Sequence, residues 1–474
     1  MPSSIEEPVS NPVIFWFRRD LRLADNPALV AAARAGTVVA LFVVDPELLA
    51  PVGATRAAFV AASLTALDEA MGGALVIRVG DPRSVVPDVA RELGAGSVYA
   101  SGDSTPRARS RDRAVAVALA GEGRTLITID SPYIVEPGTI RQASGAPYRV
   151  YSAFRRAWET RLGVAPVAVP EVEWESVTGV TPTAVVELAA RRRPHYFAGL
   201  PDSPAPDVPP AGERAGLAAL ERFAARVDTY EDQRDRPDLD ATSRLSPYLH
   251  VGALHPRTVL AALDGPSRGS STFRAEIGWR EFYADVLSYR PDSAWGSLQP
   301  RFDALRVDRD QAAVARFGTW ARGETGFPLV DAGMRQLLAE GWMHNRVRMV
   351  TASFLVKHLH IDWRWGASWF LWRLVDGDVA SNQHGWQWTA GSGTDAAPFH
   401  RIFSPTRQAE RFDPQGRYVR RYVPELTSVA ESDLARAHVE TLVASGYRPP
   451  MVDAGVERRE ALARFAEIRR TVAT

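Results

Sequence analysis

The 474-residue chain has no cysteine, a single lysine (Lys357) and no apolar run near the roughly 18 residues that mark a membrane span. Without thiols it can hold no disulfide, thiol nucleophile, iron–sulfur cluster or thiolate zinc site, so any cofactor chemistry is organic. It also lacks a Gly-x-Gly-x-x-Gly or Walker-type loop, which argues against an ordinary dinucleotide or nucleoside triphosphate site. Charge of one sign is missing too: 56 acids balance 56 bases, and no polybasic coat exists. The first ten residues carry Glu6 and Glu7 but no apolar segment, so no secretory signal is expected and a cytoplasmic location is. A hydrophobic content of 46% with 24% charged residues describes a folded chain rather than a disordered one.

What is present divides into two domains and a connector, as the length requires. Short apolar runs at 13–17, 38–44, 75–79, 97–100 and 126–129 read as strands separated by amphipathic helices. The first helix should open at Asn26, an N-cap, with Pro27 in the first helical position. Such alternation predicts an α/β amino-terminal domain over 11–131, a doubly wound parallel sheet with helices on both faces. Arg18-Arg19-Asp20-Leu21-Arg22 would then lie beyond the carboxyl end of the first strand, where ligands of such sheets bind. Over 132–211 the periodicity weakens, and Pro201, Pro204, Pro206, Pro209 and Pro210 mark a stiff connector. From 212 to 474 the pattern is all-α, with helices expected at 213–226, 256–263, 273–288, 330–340, 345–358 and 365–374.

Seven of the 13 tryptophans fall between Trp342 and Trp388. Two explanations stand: a helical core built with indoles, or stacking surfaces beside a cofactor and a nucleic acid. Arg401, Arg407, Arg411, Arg417, Arg420 and Arg421 occupy 21 residues that contain only Glu410 and Asp413 as acids. They form either a phosphate-facing patch or a solvated face.

Several long segments in fixed order go further: Phe17-Arg18-Arg19-Asp20-Leu21-Arg22, Thr242-Ser243-Arg244-Leu245-Ser246-Pro247-Tyr248-Leu249, Glu276-Ile277-Gly278-Trp279-Arg280-Glu281-Phe282-Tyr283, Thr325 to Ala332, Gly341 to Met349, and Asp376 to Pro398. They resemble the photolyase/cryptochrome family over nearly the whole chain, and most of all its class I cyclobutane pyrimidine dimer photolyases. The resemblance implies FAD in the helical domain, working as reduced FADH⁻, and light-driven repair of a pyrimidine dimer flipped out of DNA. Thr242, Ser243, Arg244, Leu245 and Ser246 would cradle the FAD phosphates with Tyr230. Asp376 and Asp378 would accept from ribose hydroxyls, and Arg348 would pair with Asp376 beneath the flavin. Arg280 and Asn345 are further expected cofactor neighbours.

By the same resemblance Asn382 faces the flavin N5, an amide where photoreceptor relatives carry Cys or Asp, which favours repair. Trp279 and Trp388 would wall the flipped bases, Glu276 and Asn345 would bond their edges, and Met349 would add soft apolar contact. Arg234, Arg346 and Arg401 would grip flanking phosphates. Trp386 and Trp363 match the first two members of a tryptophan chain that reduces excited flavin, whereas the third position holds Asp310, leaving Trp320, Trp365 or Trp369 as substitutes. Phe399-His400-Arg401 and Ser404 also depart from the family pattern. For an antenna in the first domain, Thr105-Pro106 replaces the Asn-Glu pair of folate-using members, so 8-hydroxy-5-deazaflavin is favoured over methenyltetrahydrofolate. No metal is expected. The implied partners are single- and double-stranded DNA containing pyrimidine dimers, with no membrane and a monomeric chain. The competing readings are a cryptochrome-type blue-light photoreceptor and a (6-4) photolyase.

Overall fold

Val13–Phe17 (β1) is buried at all five positions, as a central parallel strand must be when helices cover both faces. In the computed structural model, which describes residues 11–394, 401–436 and 438–471, β1 sits in the middle of a five-stranded sheet. Its companions are β2 (Val38–Val44), β3 (Leu75–Val79), β4 (Ser97–Ala100) and β5 (Thr125–Thr128), in the order β3-β2-β1-β4-β5 with every pairing parallel. The expected strands are all there; the last begins one residue early, where Thr125 pairs with Ser97. Strand order reverses between β1 and β4, the place where sheets of this kind open to ligands, and Arg18 and Arg19 follow β1 there with Arg19 4.0 Å from Asp103.

The helix Pro27–Ala35 begins as its sequence implies. The Asn26 side chain accepts from the Leu29 amide at 3.2 Å, and Pro27 fills a position whose amide has no helical partner.

The stretch from 132 is more structured than its weak periodicity suggests. It carries the helix Tyr151–Glu159, whose Phe154 and Trp158 are buried against the long helix Arg268–Tyr289. Glu281 on that long helix accepts from the amides of Ile134 and Val135 at 2.8 and 3.1 Å and from Trp158 Nε1 at 3.3 Å. Farther on, the Glu173 carbonyl and the Glu175 amide bracket Val38 at 2.8 and 3.0 Å, clipping the connector to the sheet. A nine-residue helix held by two aromatics gives too few apolar repeats to register as a period.

The helical half contains each expected helix with shifted ends. Residues 273–288 belong to Arg268–Tyr289, started by Ser267 accepting from the Ser270 amide at 3.0 Å. The other long ones are Pro328–Glu340, Asn345–Lys357, Trp363–Arg373 and Val379–Ala390. One apolar core joins a face of the sheet (Phe15, Phe17) to the helical half (Tyr248, Phe282, Val375), and a second fills the helical half around Trp320, Trp369, Trp372 and Trp386. Arg257 bolts the halves together, reaching Asp25 at 3.0 Å and Asp130 at 2.6 Å. Among the described residues no helix is long and apolar enough to cross a membrane.

Candidate functional site

The helices of the second half surround a cavity of about 690 Å³, well within the range of small-molecule and cofactor sites. All the residues expected to touch cofactor or lesion line it, from Tyr230 and Thr242 through Glu276, Trp279 and Asn345 to Asn382, Trp388 and Arg401. Trp363 does not. The tryptophans divide between core and cavity: Trp363, Trp369 and Trp372 are core, Trp342 and Trp388 line the cavity, and Trp386 does both.

Helical spacing explains one wall. Glu276, Trp279, Arg280 and Tyr283 recur at intervals of three and four along Arg268–Tyr289, so one face presents them all. Arg234 Nη1 lies 2.6 Å from Glu276. Burial pushes the Glu276 carboxyl above the usual carboxylate range, and Arg234 only partly counters it. Arg346 is likewise paired with Asp235 at 2.9 Å, while the Arg401 guanidinium lies 5.3 Å over the Trp388 ring.

The 242–246 segment enters the short helix Ser246–Val251 through Arg244, a non-glycine residue in the left-handed region at φ 51°. The Arg244 guanidinium pairs with Glu340 at 2.9 Å and covers Trp342 at 4.5 Å. It therefore stiffens the wall as well as bringing charge to it. The Trp342 indole in turn donates to Ser246 Oγ at 3.3 Å.

On the floor, Arg348 Nη2 meets Asp376 at 2.8 Å, as the sequence implied. The other oxygen, Asp376 Oδ1, is buried without a protein partner, and so is His250 Nδ1 on the same cavity. Orphaned buried polar atoms of this kind call for a ligand's donors and acceptors, and with the hydroxyls of Thr242 and Ser243 they fit a flavin dinucleotide. Asp378 has less to offer: its Oδ1 accepts from the Ser381 amide at 2.8 Å and its Oδ2 pairs with Arg19 at 2.8 Å. Burial disfavours the Asp378 charge, but Arg19, Arg280 and His250 outweigh it and hold the group well below the usual carboxylate range. Asn382 donates through Nδ2 to the Ala367 carbonyl at 3.1 Å and to Gln383 Oε1 at 2.8 Å. Those two acceptors orient the amide and leave its carbonyl oxygen to accept from another donor.

Trp386 packs so tightly on Gly366 that a Cβ there would meet the indole at 2.1 Å. Its ring is 6.2 Å from Trp320 and 4.9 Å from Phe370. Asp310 instead caps the helix Gln311–Arg322, accepting from the Ala313 amide at 2.8 Å, a structural task that an indole could not perform. Of the other departures, Phe399 and His400 lie outside the described residues, and Ser404 caps the helix Pro405–Phe412.

Sequence reasoning missed three contributors from outside the helical domain's motifs. Arg19 was placed at the strand end but not at Asp378; Arg56 donates to the Gly377 carbonyl at 2.7 Å; and Tyr151 stacks behind Trp279. Only Arg19 carried a signal, its position after β1.

A sheet domain and a helical domain built round one large, aromatic-walled, arginine-rimmed cavity define a two-domain cofactor-binding protein. Comparison with known proteins agrees. Residues 273–467 match the FAD binding domain of DNA photolyase, and residues 13–173 match DNA photolyase. The deoxyribodipyrimidine photo-lyase of Agrobacterium fabrum is 39% identical over 491 residues, covering 97% of this chain and 98% of the relative. One from Thermus thermophilus is 41% identical over 430 residues, covering 89% and 94%. Among solved structures, a bacterial class III photolyase from Agrobacterium tumefaciens superposes with a TM-score of 0.88 at 38% identity, covering 99% of this chain and 100% of its own. An archaeal photolyase from Sulfolobus tokodaii, solved with two FAD molecules, gives 0.82 at 28% (96% and 100%), and a Synechocystis cryptochrome 0.84 at 27% (96% and 99%). The chain belongs to the photolyase/cryptochrome family. It is an enzyme of the photo-lyase kind, and FAD is its cofactor.

Proposed function

We propose that this enzyme repairs cyclobutane pyrimidine dimers in DNA under blue light, acting on a dimer flipped into the cavity. The observation that carries the reading is one cavity with two chemistries. Arg348 pairs with Asp376 and Asn382 lines the cavity with them, while Arg401 covers Trp388 and Trp279 gives the same cavity a second indole. When bound, reduced FAD supplies the light-driven electron that opens the cyclobutane bonds and regains it afterwards.

The chain's own residues do the rest. Tyr230 and the 242–246 segment would hold the phosphates, and Arg348 would keep Asp376 in place beside the ring. The Asn382 carbonyl oxygen would accept from the ring's N–H, a bond that would favour the reduced form. Trp279 and Trp388 receive the unstacked bases, where stacking returns about 1–3 kcal/mol per base against an extrusion cost of a few kcal/mol. Glu276, kept protonated more readily by burial, offers a donor as well as acceptors to the base edges beside Asn345, and Met349 fills the apolar gap. Arg234, Arg346 and Arg401 face the phosphates on either side of the lesion.

Of the subclass, the motifs point to class I and a solved bacterial relative to class III; the proposed reaction is the same under either. The domains divide as 11–131 for an antenna, 132–211 as connector and 212–474 for flavin and DNA. Thr105-Pro106 supports 8-hydroxy-5-deazaflavin as the antenna over a folate, and the two-FAD relative makes a second FAD the alternative.

The test is to illuminate the reduced protein with a dimer-containing oligonucleotide and follow thymine absorbance, with a dark control. Recovery in light alone supports repair. Flavin retained without recovery would favour the photoreceptor reading.

A further inference from the structure

The 376–378 turn, which the reading above places beside the flavin, is held from the other domain. Arg19, directly beyond β1, pairs with Asp378 at 2.8 Å and lies 4.0 Å from Asp103. Arg56, on the helix Ala54–Ala70, donates to the Gly377 carbonyl at 2.7 Å. The approach is so close that a Cβ at Gly377 would lie 2.5 Å from Arg56 Nη1, and the guanidinium would have to shift to make room for it. Asp378 in turn starts the helix Val379–Ala390: its side chain accepts from the Ser381 amide at 2.8 Å, and its carbonyl from the Asn382 amide at 2.9 Å. A displacement of Asp378 is therefore passed to Asn382 through one backbone hydrogen bond.

Charge follows the same geometry. The carboxylates of Asp376 and Asp378 are faced by Arg348 from the helical domain and by Arg19 and Arg56 from the sheet domain, with Arg280 on the same cavity. Positive groups outnumber negative ones around the turn, a field that favours an anionic ligand in a poorly solvated site.

Resting on the flavin reading of this cavity, we propose that Arg19 and Arg56 are positioning residues of the flavin site. They fix the 376–378 turn, set the start of the Asn382 helix and bias the pocket towards the reduced, anionic cofactor. The site is then incomplete without the amino-terminal domain, which contributes to it directly and not only through an antenna.

The test uses the full chain as wild type, Arg19→Gln, Arg19→Lys, Arg56→Gln, Asp378→Asn and the double variant Arg19→Gln/Asp378→Asn. Affinity for oxidised and reduced FAD, the midpoint potential of the bound flavin, and the melting temperature of flavin-free protein are measured. For Arg19→Gln the expected result is about a tenfold greater loss of affinity for reduced than for oxidised FAD. That corresponds to a potential lowered by about 30 mV for a two-electron couple. Arg19→Lys should recover most of it, Arg56→Gln should move in the same direction, and the double variant should lose less than the sum of its parts. Unchanged affinities and potential in both Gln variants overturn the proposal. So does a lowered melting temperature with the reduced-to-oxidised affinity ratio unaltered, which would leave the arginines as glue between domains. A wild-type chain that binds no flavin would sink this proposal and the reading of the cavity together.

Discussion

The Trp279 indole lies flat against the Tyr151 ring, with centroids 3.7 Å apart and planes 14° from parallel. Tyr151 comes from the connector helix and is pinned by its own hydroxyl, which donates to the Ala275 carbonyl. One face of Trp279 is thus occupied before any DNA arrives, and the indole cannot turn into that space. A wall fixed in advance saves the ordering cost that a mobile side chain would meet on binding. We expect Trp279→Ala to weaken binding of a dimer-containing oligonucleotide by about 1–3 kcal/mol while flavin is retained. Tyr151→Ala should have the same effect at smaller size, by freeing the indole. Fluorescence anisotropy with damaged and undamaged duplexes checks this; equal affinity for both in wild type and variants would exclude Trp279 from the lesion wall.

Arginines at the rim should make binding steeply dependent on salt, with log affinity falling by about 0.9 per phosphate contact per log unit of salt. Arg234 and Arg346 pair with Glu276 and Asp235 at 2.6 and 2.9 Å, and the Arg401 guanidinium lies over the Trp388 ring. Arg401→Ala should lower the salt slope by about 1, on damaged and undamaged DNA alike. A titration between low and moderate salt reads the slope directly, and an unchanged value would remove Arg401 from the phosphate grip.

Trp386 borders the cavity and continues inward to Trp320 at 6.2 Å. Light-driven reduction of oxidised flavin in the presence of an external reductant should fail in Trp386→Phe and slow in Trp320→Phe. Protein reduced chemically should still repair in both, since the return of the electron needs neither indole. Loss of repair in chemically reduced Trp386→Phe would mean that the substitution damages the pocket itself.

The legibility of this chain followed the range of its interactions. Strands and capped helices were readable because their causes are local: Asn26 and Pro27 start a helix whatever surrounds them, and an unbroken apolar run such as Val13–Phe17 fits a buried parallel strand. The cavity residues were legible because they stand together in long motifs, although composition alone left the tryptophans undecided between core and site. What escaped was contact across hundreds of positions. Arg56 reaches Gly377 over 321 residues and Arg19 reaches Asp378 over 359, and no spacing rule encodes either. The helix Tyr151–Glu159 escaped for a different reason, since it owes its place to Trp158 and Phe154 filling a groove and not to its own periodicity.

Acid should destabilise the folded chain below about pH 6.5, because several histidines are held neutral by burial. His384 is the clearest case. It bonds the Ala380 carbonyl at 2.8 Å and the Ser293 hydroxyl at 2.9 Å, and burial lowers its pKa to about 4. His255 and His344 are likewise pushed down to about 4, and His250 to about 3, burial being the leading cause in each. An unfolded histidine titrates near about 6.5, so between that value and about 4 the unfolded chain binds more protons than the folded one. The stability these groups contribute is complete above about pH 6.5 and is lost as pH falls through about 4. Glu281 acts oppositely. Burial raises it to about 7 despite its amide donors, so its contribution is present at low pH and fades as pH rises through about 7. Five histidines, His358 at about 4 among them, outweigh the carboxyls that burial raises into the same range, Glu281 to about 7 and Asp285 and Asp413 to about 6, and give a net loss on the acid side, with each fully shifted histidine worth about 3 kcal/mol at the limit. Denaturant unfolding at a series of pH values should show stability falling from about pH 6.5 to about 4, with a shallower fall in His384→Gln. A flat profile across that interval would show that these imidazoles are not held neutral in the folded state.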